Sequence, residues 1–229
     1  MEAQPKCNLI IDSCCDLPFE VIDRPGVQLL EFPYIDEKGE HRDDFYRSVT
    51  PHEFYEGMRA GSQPSTAQVP VTVFHDVFSK AIESGVPTVY LSFTSGLSGS
   101  FNTAVMMRDQ LIAEHPEAEL YVVDTYLASV AEALLVYEAL NQRDNGMTAR
   151  ELASWAEEAR YFVDAEFMVD DLESLRRGGR IPSTVAYAGA KLDVKPLLNI
   201  SIEGKLALTG VARGRKKGIR QLAEYCSKR

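Results

Sequence analysis

The stretch Thr88–Leu111, TVYLSFTSGLSGSFNTAVMMRDQL, constrains the fold more than any other. An apolar run, Val89–Phe93, reads as a buried strand. A loop of hydroxyls and glycines follows, Thr94–Ser100, and then a helical pattern begins. Two other short apolar runs end in the same way. Asn8–Asp12 leads into Ser13–Asp16, and the strand Leu120–Val123 ends at Asp124 before Thr125–Ser129. Val27–Phe32 reads as a further strand.

Helical segments alternate with these runs. Thr50-Pro51-His52-Glu53 has the form of a capping box with proline at the first helical position, and predicts a helix to about Ala60. A second is expected over Thr72–Ser84, with Val73, Val77 and Ala81 on its apolar face. A long helix is expected over Leu127–Gln142. Thr148-Ala149-Arg150-Glu151 is another capping box, opening a helix to about Tyr161. Strands alternating with helices argue for a parallel sheet with helices on both faces. Right-handed crossovers place the loops after the strands along one edge, where such folds bind ligands.

After residue 160 the pattern changes. Phe167–Val169 reads as a strand, Asp171–Arg177 as a short helix, and Lys195–Ile202 and Lys205–Thr209 as two strands joined by the turn Glu203-Gly204. The expectation is a parallel-sheet α/β domain over residues 1–160 and a smaller α/β domain over 161–229.

Charge is divided unevenly. Residues 1–175 carry 11 basic and 31 acidic side chains, net −20, and residues 176–229 carry 13 basic and 3 acidic, net +10. The basic segment either faces something anionic or complements the acidic remainder. Its clusters, Arg176-Arg177-Gly178-Gly179-Arg180 and Arg213-Gly214-Arg215-Lys216-Lys217, have no interleaved aromatics, which argues against nucleic acid. No run of 18 apolar residues suggests a membrane span, and no signal peptide is read at the N-terminus. Four cysteines, none in C-x-x-C, read as free thiols of a cytoplasmic protein.

The loop Thr94–Ser100 has three readings: a binding loop for phosphate or carboxylate, a serine nucleophile, or a plain helix cap. A nucleophile needs a base, and His41, His52, His75 and His115 show no paired acid in the sequence. The loop lacks the lysine of a phosphate-binding P-loop. Asp12-Ser13 and Asp124-Thr125 read as caps more readily than as metal ligands. Ser62-Gln63-Pro64-Ser65 reads as a connector.

Taken together, these segments resemble the DegV family of bacterial fatty-acid-binding proteins. The resemblance rests on Ile11–Pro18, Ser62–Ser65, Ser95–Ser100, Val123-Asp124-Thr125 with Ala128-Ser129, Val169–Glu173, Leu175–Ile181, Lys195-Pro196 and Arg213–Lys217, in family order. It implies a two-domain α/β protein that encloses a long-chain fatty acid. It also implies a non-catalytic role: presenting the fatty-acid carboxylate to a fatty acid kinase subunit that makes an acyl phosphate. No cofactor or metal is implied. By motif match the carboxylate falls to Ser95, with Gly96 and Ser98 in its loop and Ser62 and Ser65 in a second. Arg176, Arg180, Arg213 and Arg215 match the family's basic motifs and are expected to dock the kinase. Two departures are visible: Gly61 stands where the family usually has threonine, and the family normally continues several tens of residues beyond the equivalent of Arg229. The second domain is therefore expected to be short relative to the family. The alternative is a hydrolase or transferase acting on a small phosphorylated or carboxylated substrate.

Overall fold

The computed structural model describes residues 5–170, 172–181 and 194–228. The chain divides into two compact units, Met1–Val163 and Asp164–Arg229.

The first unit is built on a four-stranded parallel sheet. Strands β1 (Asn8–Asp12), β2 (Val27–Leu30), β6 (Thr88–Ser92) and β7 (Leu120–Asp124) lie in the order β2-β1-β6-β7. β1 and β6 are interior strands with helices on both faces, so their sequences are apolar nearly throughout. The twofold pleat sorts their side chains. Leu9, Ile11, Val89, Leu91 and Val123 face α5 (Ser129–Asp144) and α6 (Ala149–Ala159), meeting Val136, Leu140 and Leu152. Ile10, Tyr90 and Val122 face α3 (Val71–Glu83) and α4 (Ser100–Glu114), meeting Phe74, Phe78 and Met107.

The core face of α3 differs from the expected one. Phe74, Phe78 and Ala81 are buried, while Val73 and Val77 only flank the cluster. Both patterns share one helical period, and the larger rings take the interior.

Both capping boxes form. Thr50 caps α2 (Pro51–Arg59) with Glu53, and Thr148 caps α6 with Glu151. Arg143, 2% exposed near the end of α5, ties the helix to the sheet. Its Nε donates to the Cys7 carbonyl at 2.9 Å and its Nη2 to the Pro25 carbonyl at 2.5 Å. Gly26 makes room for it: φ is +72°, and a Cβ there would lie 2.5 Å from Arg143 Nη2.

A small antiparallel sheet, missed in the sequence, adjoins these elements in the chain. β3 (Pro33–Asp36) pairs with β4 (Gly39–Arg42) and with β5 (Ser65–Thr66). Part of the segment expected as a connector, Ser62–Ser65, is thus strand. His41 lies in β4 and its Nε2 is 2.7 Å from Asp36 Oδ1, which corrects the expectation of no paired acid. Gly61 takes φ +112°, a region that L side chains rarely adopt. Threonine, which the resemblance implies at this position, would be strained in this backbone.

In the second unit an antiparallel sheet has the order β10-β9-β8, with β8 Glu166–Met168, β9 Val194–Ile200 and β10 Leu206–Arg213. Helix α7 spans Glu173–Arg177, and α8 (Arg215–Ser227) packs on the sheet. The expected helix start at Asp171 lies outside the described residues.

Candidate functional site: the loops after β1, β6 and β7

Parallel register aligns the three strand ends. Ile11 pairs with Leu91, and Ser92 with Asp124. The segment after β6 therefore emerges between the last residues of its two neighbours, and both are aspartates. Asp12 Oδ2 accepts the Phe93 N–H at 2.7 Å. Asp124 Oδ1 accepts the Ser95 N–H at 3.2 Å. Between them the Thr94 N–H donates to the Leu127 carbonyl at 3.1 Å. The three loops expected on one edge are thus joined by hydrogen bonds.

Asp12 also caps the turn Ser13–Cys15 by accepting the Cys14 N–H at 3.0 Å, and it accepts the Tyr90 hydroxyl at 3.1 Å. The capping expectation covers only part of what it does. Complete burial pushes its carboxyl up to about 6, although the donors on it act in the opposite direction. Three non-glycine residues of these loops, Asp16, Tyr126 and Ser129, have φ between 53° and 55°. Ser129 Oγ donates to Asp16 Oδ2 at 2.6 Å and holds two of them together. The left-handed turn at Tyr126 and Ser129 explains why α5 starts at Ser129 rather than Leu127.

An anion cradle made of backbone N–H groups is not what the loop offers over residues 93–97. Those donors are used internally: Gly96 N–H meets Thr94 Oγ1 at 3.1 Å, and Leu97 N–H meets the Thr94 carbonyl at 3.3 Å. Ser98 Oγ is occupied too, donating to Ser100 Oγ at 3.0 Å and accepting the Ser100 N–H at 3.2 Å. Ser95 is the exception. It is half-buried, and its hydroxyl has no hydrogen-bond partner among the described residues. No histidine touches it among those residues, so a serine nucleophile has no base there.

The other predicted residues are placed differently. Ser62 Oγ donates to Glu37 Oε2 at 2.6 Å, and the Gln63 N–H donates to Glu37 Oε1 at 3.1 Å. That loop therefore already holds a carboxylate, the chain's own, in the turn between β3 and β4. The hydrogen bonds from Ser62 and Gln63 lower the Glu37 carboxyl below its ordinary range. Ser65 is exposed in β5, paired with Ile35. In the second unit Arg176 is bonded to Glu173 at 2.6 Å, and Arg180 donates to the Gly178 carbonyl at 2.5 Å. Arg213 and Arg215 are exposed. Asp170 draws two basic motifs together, lying 3.2 Å from Lys195 Nζ and 3.5 Å from Arg215 Nη1.

Glu132 was missed. It lies in the first turn of α5 and is 0% exposed. An acid among alanines and leucines gives no sign in the sequence that its turn of helix is buried under the loops. The four cysteines are free, and burial pushes the Cys14 and Cys15 thiols up. Among the described residues no group of three or more His, Cys, Asp or Glu side chains is arranged to hold a metal ion, and no helix is long and apolar enough to cross a membrane.

These features define an α/β protein with a polar, hydroxyl-bearing loop at the carboxyl edge of a parallel sheet. The model of one family, described as "Uncharacterised protein, DegV family", matches residues 6–229, and the chain belongs to the DegV family. A DegV domain-containing protein of Clostridium perfringens is 35% identical over 224 residues, which are 98% of this chain and 77% of that one. Among solved structures, a stearic-acid-binding protein of Eubacterium ventriosum superposes with TM-score 0.85 at 27% identity, over 97% of this chain and 76% of that one. A Thermotoga maritima protein described as revealing a fatty acid binding function superposes with TM-score 0.78 at 29% identity, over 98% of this chain and 78% of that one.

Proposed function

We propose that this protein is a cytoplasmic, non-catalytic binding protein for a long-chain fatty acid, and that Ser95 donates to the carboxylate. The observation that supports Ser95 is a hydroxyl without a hydrogen-bond partner among the described residues, in a loop whose backbone donors over residues 93–97 are already bonded. The two solved relatives described as binding stearic acid and fatty acid support the ligand class.

The energetics suit such a ligand. A C16 acid offers roughly 14 methylenes, about 11 kcal/mol of gross transfer free energy at ~0.8 each. A hydrogen bond to its carboxylate adds only ~1.5–3 kcal/mol. The tail carries affinity and Ser95 sets which end lies at the loop. Gly96 and Ser98 shape that loop. Ser62 joins the site by exchanging Glu37 for the ligand carboxylate, with Ser65 beside it. The family resemblance extends the proposal to a partner, a fatty acid kinase subunit docking on Arg176, Arg180, Arg213 and Arg215. No cofactor is required.

Calorimetric titration with oleate tests the carboxylate contact. Ser95→Ala is expected to weaken binding by ~1–3 kcal/mol. Unchanged affinity would remove Ser95 from the site.

A further inference from the structure

Beside the loops that converge after β6 lies a carboxyl with no hydrogen-bond partner among the described residues. Glu132 is fully buried, and neither Oε1 nor Oε2 has a hydrogen-bond partner. An ionised carboxylate there would lose its hydration with no compensating donor. The charges that act on it make ionisation harder still. They come from Asp12 at the end of β1, Asp16 after the turn Ser13–Cys15, and Asp124 at the end of β7, and all are carboxylates. The other titratable groups in its field are the Cys14 and Cys15 thiols of the turn packed on α5 and the Tyr90 phenol of β6. No charge on α6, which also packs against α5, acts on it.

Two of those three aspartates hold the loop of Ser95. Asp12 accepts the Phe93 N–H and Asp124 the Ser95 N–H. A charge on Glu132 would act on both supports at once. It would also add a negative charge to the acidic group bordering Ser95.

We propose that Glu132 is carried as a neutral carboxylic acid, and that its proton keeps the Phe93–Ser95 loop seated and able to accept an anionic headgroup. Loss of that proton at raised pH weakens the loop and disfavours an anion at Ser95. Ligand binding is thereby linked to protons. The linkage rests on the fatty-acid reading, whereas the protonation state of Glu132 does not.

The sign follows from burial. Burial first, and then the field of the three aspartates, raises the Glu132 carboxyl well above its ordinary value. The folded chain thus keeps a proton that the unfolded chain releases. The stability contribution is fully present below the ordinary glutamate range and is lost as pH rises through the folded value.

Two measurements test this, one of them without ligand. Infrared spectroscopy of the wild-type protein, 13C-labelled at glutamate, is expected to show the carbonyl stretch of a protonated glutamic acid at about pH 8, well above the ordinary glutamate range. Glu132→Gln should abolish that band, and thermal unfolding of this variant should fall less steeply with pH than that of wild type. A wild-type protein with no protonated glutamate band overturns the proposal even if the variant fails to fold. The second measurement is titration with oleate and with methyl oleate at about pH 6.5 and at a pH where the glutamic acid band has been lost. Oleate affinity is expected to fall roughly threefold or more as pH rises, with methyl oleate unchanged and the oleate drop reduced in Glu132→Gln. Oleate binding that is independent of pH overturns the linkage. Failure of both lipids to bind at either pH, with the glutamate band present, would refute the fatty-acid reading and leave the neutral Glu132 standing.

Discussion

Around the loop of Ser95 three carboxyl groups are buried: Asp12 and Glu132 are 0% exposed and Asp124 is 5%. In the second unit Arg213 and Arg215 lie exposed at the end of β10 and the start of α8. Asp12 and Asp124 are wired into the backbone. Asp12 alone accepts three hydrogen bonds, from elements as far apart in sequence as Cys14 and Phe93. In the second set Arg215 is held by a long ion pair to Asp170 at 3.5 Å. Buried polar groups are costly to disturb because each lost partner strands another group away from water. Exposed ion pairs are worth little to the fold. The difference assigns the two regions different work. The buried acids fix geometry, while the exposed arginines are available to a partner without cost to the fold.

Mutations should separate the two. The largest effect is expected from Asp12→Ala, which strands the Phe93 and Cys14 N–H groups and the Tyr90 hydroxyl. Denaturant unfolding should show a loss of ~3 kcal/mol or more. A loss below ~1 kcal/mol would show that Asp12 does not organise the loop. Asp12→Asn probes the same carboxyl by pH. The folded value near 6 exceeds the unfolded one, so wild-type stability from this group is complete below about pH 3.8 and declines as pH rises through about 6. The asparagine variant should lack that decline.

Thr148→Ala removes the α6 capping box and should cost ~1 kcal/mol in the same assay. Gly61→Thr should also destabilise, by about 1 kcal/mol, because of the positive φ. A neutral or stabilising result would mean that the backbone relaxes easily at this turn. The smallest effect on stability, within about 0.5 kcal/mol, is expected from charge reversal at Arg213 and Arg215. That double variant should still bind oleate normally and lose association with a fatty acid kinase subunit in a pull-down. Normal association would end the proposed docking role.

The parallel sheet was legible because buried strands such as NLIID and TVYLS have unbroken apolar centres, and because the caps Thr50 and Thr148 announce their helices. The hairpin β3–β4 was not, since Ile35 points to solvent and the strands carry as many polar as apolar residues. At the site, serines and glycines flagged the loop but not the state of its donors. Gly96 and Ser98 are bonded only two residues away, to Thr94 and Ser100. That Ser62 holds Glu37 and that the Ser95 N–H meets Asp124 depend on contacts between segments distant in sequence. Glu132 was illegible for the same reason. Its significance comes from Asp12 and Asp124, which approach it only once the sheet has formed.

The central claim, that the protein holds a long-chain fatty acid, is tested most directly by mass spectrometry of the purified protein, first native and then after organic extraction. A stoichiometric fatty acid, present in the native mass and released on denaturation, is the predicted result. A protein that carries none and takes up neither added oleate nor palmitate would contradict it.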